Sequence, residues 1–250
     1  MPPNDPAGSN LVEAEIQMSL DRACVYRALA GLFKTPDEAT LTEARDRNLP
    51  EQAMAVKRLS GDEDLLSAAR QLCDLFDDVG SERLRRSHHA AFDESSDIRC
   101  APTEMDQLGG VPQLELTRTF EMADVAGFYK AFGVEVGEGD ERVDHIAAEL
   151  EFMNLLAVKQ AVALQDEGPG EHAQICRDAS RVFLRDHLLR WAPRLGQALA
   201  ESGGDPIHGA AGRLLSQFIN FDAALLDAEG APVYVVDPTR PEKPTQLPAS

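Results

Sequence analysis

A chain of 250 residues can form one large domain or two small ones, and either size buries a proper core. Its 43 acidic against 24 basic side chains leave a formal charge of −19, which opposes nucleic acid and anionic membrane surfaces; the same charge suits a basic partner such as an Arg-bearing peptide, or solubility alone. A hydrophobic share of 43% with mean hydropathy −0.28 describes a soluble globular protein, and no apolar run is long enough to insert into a membrane.

The opening MPPNDPAGSN has neither a basic region nor an apolar stretch of the export type. Residues 1–10 are therefore expected to be a disordered lead, and the chain to stay in the cytoplasm. From there helical periodicity dominates. Ile16, Leu20, Ala23, Leu29 and Leu32 keep the 3.6-residue spacing until Lys34-Thr35-Pro36 breaks it. Pro36-Asp37-Glu38 opens a short helix, with the proline in its first turn. Asp62-Glu63-Asp64 opens another that carries Leu65, Leu66, Ala69, Leu72, Cys73 and Phe76. A helix over 81–92 precedes an irregular segment over 93–111, which holds Cys100, Pro102 and Gly109-Gly110. The helical pattern resumes near Gln113 and ends at Phe132-Gly133.

In the second half Asp144 reads as the N-cap of a helix to about Leu164, closed by Gly168-Pro169-Gly170. An amphipathic helix over 171–187 continues over 188–200, bent or broken near Pro193. A last helix spans 206–227. The tail over 229–250 carries Pro232, Pro238, Pro241, Pro244 and Pro248 around one short β-like run, Val233 to Val236, and is expected to be extended and partly disordered. With no strand-rich region and no repeat, the expected fold is all-α, about ten helices. A seam in the Gly137–Asp140 turn, or in the 93–111 segment, would act as a hinge between lobes over 11–136 and 141–228.

Motifs of enzymes are missing. There is no phosphate-binding loop, no dinucleotide fingerprint, no nucleophile elbow and no H-E-x-x-H. Adjacent His88 and His89 point about 100° apart on a helix and cannot chelate one metal as an i, i+4 pair would. Cys24, Cys73, Cys100 and Cys176 are scattered without a CxxC, which reads as reduced and packed. No resident cofactor or metal is expected.

The most informative stretch is Phe128 to Met153. It joins an aromatic helix end, a Gly-rich acidic turn and an Asp144-His145 pair opening an apolar helix. His145 and Glu149 are i, i+4 and share a helix face. Three readings stand side by side: a capping aspartate beside a surface histidine; an acid/base or metal centre of Asp144, His145 and Glu149; and a polar recognition patch beside an apolar groove. Ile146, Leu150, Met153 and Ala157 form one stripe that Phe152, Leu155 and Leu156 widen beyond a single core face.

At these residues the chain resembles the TorD-like chaperones, the cytoplasmic maturation chaperones of DMSO-reductase-family molybdoenzymes. The resemblance rests on Phe128-Tyr129-x-Ala131-Phe132-Gly133, Glu141-x-x-Asp144-His145 and Glu149-Leu150-Glu151-Phe152-Met153. Arg22 to Phe33 is similar to the family's first helix, Cys100-Ala101-Pro102-Thr103-Glu104 to its Pro/Glu loop, and Phe183-Leu184-x-x-His187-Leu188-x-x-Trp191-Ala192-Pro193 to its late helix. Together these cover about Arg22 to Asp227, and the loop and Trp-Ala-Pro patterns lean toward the subgroup serving type II enzymes. Two positions depart: Val143 replaces the proline of the hinge motif, and Thr103 stands where an aromatic is common.

The resemblance implies a non-enzymatic, system-specific chaperone. It would bind the apo catalytic subunit of a molybdoenzyme, and its twin-arginine signal peptide, before the molybdenum cofactor is inserted. Implied partner-binding residues are Glu141, Asp144 and Glu149 for charge, His145 for hydrogen bonding, and Pro102, Glu104, Phe132 and Phe152 for the walls. An Arg–carboxylate pair would add bidentate specificity. A monomer and a domain-swapped dimer both fit. The rival readings are a helical metal-dependent hydrolase built on Asp144 and His145, with His172, His187 or His208 converging on them, and a structural subunit of a redox complex.

Overall fold

The computed structural model describes residues 6–77, 79–92, 100–108, 115–135 and 142–228. They form eleven α-helices: α1 (Pro6–Phe33), α2 (Glu38–Glu43), α3 (Leu49–Leu59), α4 (Glu63–Phe76), α5 (Ser81–Phe92), α6 (Glu104–Leu108), α7 (Glu115–Ala131), α8 (Ile146–Glu167), α9 (Glu171–Phe183), α10 (Leu189–Glu201) and α11 (Pro206–Leu225). Among the described residues there is no strand, only one isolated antiparallel bridge between Thr103 and His145. The fold is all-α, as the periodicity predicts.

Local chemistry explains most boundaries. The Asp62 carboxylate accepts the first N–H groups of α4, and Asp205 accepts Ile207 N–H ahead of Pro206 at the start of α11. Gly133 and Gly168 follow α7 and α8 at φ +78° and +72°, the left-handed region in which a side chain is strained.

Other boundaries correct the sequence reading. The first helix begins at Pro6, where a missing N–H costs nothing, so residues 6–10 are helical; residues 1–5 lie outside the described residues. Pro36 precedes the N-cap Asp37 instead of entering the first turn of α2. Helix α3 was not anticipated. It follows a π-helical turn over Ala44–Asn48, in which Leu49 N–H reaches back to Ala44, and Pro50 sits in its first turn. The break expected at Pro193 falls about two turns earlier, in a second π-helical turn over Leu184–Leu188, while Pro193 stays within α10. The extra residue of that turn lets Leu184, His187, Leu188 and Trp191 all face inward.

The two expected lobes are not separate bodies. α1 packs along α8, and α11 packs on both α10 and α4, so one apolar core runs from Val25 through Phe76, Met153 and Trp191 to Phe218. A shared core follows because α8 is apolar around most of its circumference and needs cover on both sides. The Gly137–Asp140 turn, proposed as the hinge, lies outside the described residues, as does the Pro-rich tail over 229–250. Between α10 and α11 the backbones meet without side chains: a Cβ on Gly212 would come within 2.5 Å of the Gly196 carbonyl oxygen. Cys100 and Cys176 are buried, and Cys24 and Cys73 half-buried.

Candidate functional site

The site is built where two short backbone segments meet. Residues 100–104 and 142–146 exchange Glu104 N–H to Asp144 C=O (2.8 Å) and Ile146 N–H to Pro102 C=O (2.8 Å). This clip holds the start of α6 against the start of α8. Asp144 does not cap α8, as its position suggested. Its carboxylate turns away and accepts Met105 N–H at 3.2 Å, capping α6 from across the clip. The cap of α8 is His145, whose Nδ1 accepts Ala147 N–H at 3.2 Å. The Arg142 guanidinium grips Asp144 through both oxygens at 3.0 and 2.8 Å and reaches Asp106 at 3.2 Å. Val143 offers its carbonyl to the Tyr129 hydroxyl at 2.8 Å, so α7 holds this turn where a proline would otherwise stiffen it.

Behind the clip lies a layer of buried charge. Glu104, Asp144 and Glu149 are each 0% exposed, and so is His187 from the π-helical turn. His187 Nδ1 lies 3.1 Å from a Glu104 oxygen, and Trp191 Nε1 donates to Glu149 at 3.2 Å. One oxygen each of Glu104 and Glu149, and His187 Nε2, are buried without a hydrogen-bond partner; for Nε2 the Asp124 carboxylate is near, 3.3 Å away, but poorly aligned. Burial holds the proton on Glu149 well above the usual carboxylate range. The negative charge of Glu104 reinforces this, and the Trp191 N–H opposes it.

An aromatic box closes the other side. Phe152 meets Phe183 at 4.8 Å, Tyr129 at 4.9 Å and Phe132 at 5.9 Å between ring centres, and Phe183 meets the His187 ring at 4.8 Å.

The structure therefore brings together seven of the eight site residues expected from sequence, five at the clip and its charged layer and two in the aromatic box. Pro102, Glu104, Asp144, His145 and Glu149 line the clip and its charged layer, with Phe152 against them; Phe132 is half-buried at the edge of the box. Glu141 lies outside the described residues. The described acidic members of the expected recognition patch are fully buried. Asp144 and Glu149 face inward because each finds a donor there that water would otherwise supply, and Glu104 faces inward against the His187 ring. Half-buried Pro102 and His145 and exposed Arg142 form the outer face. Sequence reasoning missed the roles of Arg142, Tyr129 and Arg190. His187 enters the sequence reading as a family landmark and a distant histidine, and Trp191 as a landmark alone, although their i, i+4 spacing places them on one face. No second histidine converges on Asp144 and His145: His187 meets Glu104, His172 is exposed, and His208 pairs with Ser87 at 2.5 Å.

Residues 60–197, from α4 into α10, match the family model described as the nitrate reductase delta subunit. The chain belongs to that family. The TorD-like resemblance of its motifs is borne out in the same comparison with known proteins. The chain is 25% identical over 175 residues to the selenate reductase assembly chaperone protein of Thauera selenatis, covering 70% of this chain and 74% of that one. It is 27% identical over 193 residues to the chaperone protein TorD of Vibrio cholerae, covering 76% and 75%. A shorter stretch of 86 residues is 36% identical to the perchlorate reductase assembly chaperone protein of Dechloromonas aromatica, covering 34% and 37%. The clip, the charged layer and the aromatic box of this delta-subunit family member all lie inside the matched span.

Proposed function

We propose that this protein is a system-specific maturation chaperone of a molybdenum-containing reductase, a binding protein and not an enzyme. It works in the cytoplasm on the apo catalytic subunit, keeps it open for insertion of the molybdenum cofactor, and engages its signal peptide before export or assembly. The observation that carries this reading is the coincidence of the family match with the clip: the residues that hold segments 100–104 and 142–146 together are the ones that carry the family resemblance.

The geometry supports a division of labour. Glu104, Asp144 and Glu149 position the clip from inside. His145, Pro102, Phe132 and Arg142 meet the client from outside. Pre-ordering the clip lowers the entropy lost on binding. The charge of −19 steers basic client segments toward the chain. Among the described residues no helix is long and apolar enough to cross a membrane, which accords with action on a soluble precursor.

The test is co-expression with the catalytic subunit of a molybdoenzyme in hosts able and unable to make the cofactor. Retention of the cofactor-free subunit, with release of the loaded one, is expected. Equal retention of both forms would favour the structural-subunit reading, and failure to retain the apo form would overturn the chaperone reading for that client.

A further inference from the structure

The charged layer extends outward past His187 in a way the chaperone reading does not use. We propose that Glu104, Glu121 and His187 form a binding site for one first-row divalent cation, Zn²⁺ in the first instance, which ties α6, α7 and the π-helical turn before α10 together. One ligand atom from each of the three lies within 4.8 Å of the other two. Two carboxylate oxygens and an imidazole nitrogen are a donor set that zinc and its first-row neighbours take.

The histidine supplies the strongest argument. Its Nδ1 lies 3.1 Å from Glu104 and its Nε2 3.3 Å from Asp124, and the ring is 1% exposed. A neutral imidazole has one N–H, so one nitrogen must aim a lone pair at a carboxylate oxygen. If Asp124 takes the Nε2–H, as an outer carboxylate does for a metal-bound histidine, Nδ1 and Glu104 are left facing each other. A cation between them turns that repulsion into ligation. The fully buried Glu104 also keeps one oxygen, Oε1, without a hydrogen-bond partner.

Charge counting agrees. Glu104, Glu121 and Asp124 bring three negative charges to His187, and the Arg190 guanidinium, 3.0 Å from Glu121 and 3.6 Å from Glu104, returns one positive charge. Asp124 is 63% exposed and screened by water, so Glu104 and Glu121 against Arg190 leave the site itself one negative charge in excess, which favours a cation. Asp144 does not enter the sum, because Arg142 matches it. Arg190 occupies the approach between the two glutamates and also donates to the Asp186 carbonyl at 2.9 Å, so it can withdraw along its own helix while the ion enters. No short motif announces the site, since its three residues come from three elements far apart in sequence; the expectation of no resident metal rested on such motifs.

The experiment needs no client, so its failure leaves the chaperone reading untouched. The full chain, stripped with a chelator, is titrated with Co²⁺ followed by visible absorption and with Zn²⁺ followed by calorimetry. One ion per chain is expected. Glu121→Gln and His187→Ala should each weaken binding at least about tenfold, and Arg190→Gln should strengthen it by removing the competing cation. Glu121 is only half-buried, so its variant keeps the fold and the test if His187→Ala does not. Absence of saturable binding below about 1 mM would overturn the site, as would unchanged affinity in Glu121→Gln.

Discussion

Arg22, Tyr26 and Asp222 bury charge between α1 and α11 with every contact made, whereas Glu104, Glu149 and His187 bury charge between α6, α8 and the π-helical turn before α10 with atoms left over. In the first cluster Arg22 meets Asp222 through two hydrogen bonds of 2.6 and 2.9 Å, and the Tyr26 hydroxyl adds a third at 2.6 Å. The ion pair is neutral as a unit and all of it is spent on holding two helices in register. In the second, three buried atoms lack hydrogen bonds and burial makes the Glu149 carboxyl hold its proton well beyond the usual carboxylate range. A completed pair can only fasten. An incomplete one retains capacity for a cation, a proton or a rearrangement, which is what a partner-facing joint can use.

The largest effect expected from this contrast is at the completed cluster. Asp222→Ala strands the Arg22 guanidinium, which is 1% exposed, and should cost about 3–5 kcal/mol in urea unfolding. Client affinity per folded molecule should not change; a weakened affinity would mean that the α1–α11 pair also belongs to the binding machinery. The reverse sign is expected at the incomplete cluster. The folded chain keeps the Glu149 proton while the unfolded chain releases it near the ordinary glutamate value, so the stability held at low pH is lost as pH rises above about 4.5. Glu149→Gln keeps an oxygen for Trp191 and removes that loss. It should be more stable than the parent at pH 8, with a flatter stability curve from pH 5 to 8; a variant equally sensitive to rising pH would place the ionising group elsewhere.

A third buried group sharpens the comparison from the acid side. Burial, with His88 beside it, lowers the His208 pKa from 6.5 to about 4. Stability is therefore present above pH 6.5 and falls as the pH drops toward 4, because only the unfolded chain takes up the proton. The loss between pH 7 and pH 5 should be about 2 kcal/mol, and His208→Gln should abolish most of it in acid-unfolding curves. Glu149 and His208 thus tilt the stability curve in opposite directions.

The same contrast marks how far the sequence could be read. Asp62, Gly133, Gly168 and Asp205-Pro206 are local signals, and each ended or began a helix where the pattern placed it. The helix after the charged run Ala44–Asn48 is not legible in the sequence, because a π-helical turn leading into a helix has no periodic signature of its own. At the site the residue types were visible but their orientation was not. Asp144 reads as a cap for the helix it adjoins, and only the fold shows it capping α6 instead. Glu104 meets His187 across 83 positions, a pairing that no spacing rule reports.

The smallest effect on stability is expected on the outer face of the clip, and it is the one that separates positioning from contact. His145 caps α8 with Nδ1, so His145→Ala should cost about 0.5–1 kcal/mol. Asp144→Asn keeps an oxygen for Met105 N–H but weakens the grip of Arg142, so it loosens the clip from inside. If the inward carboxylates position and the outward ring touches the client, His145→Ala should weaken binding of the apo subunit far more than its small stability loss explains. His145→Gln, which can still accept and donate, should recover part of it. Asp144→Asn should weaken binding in step with its effect on melting. Parallel loss of stability and affinity in both variants would mean that His145 too acts only by holding the joint, and that the client meets another surface.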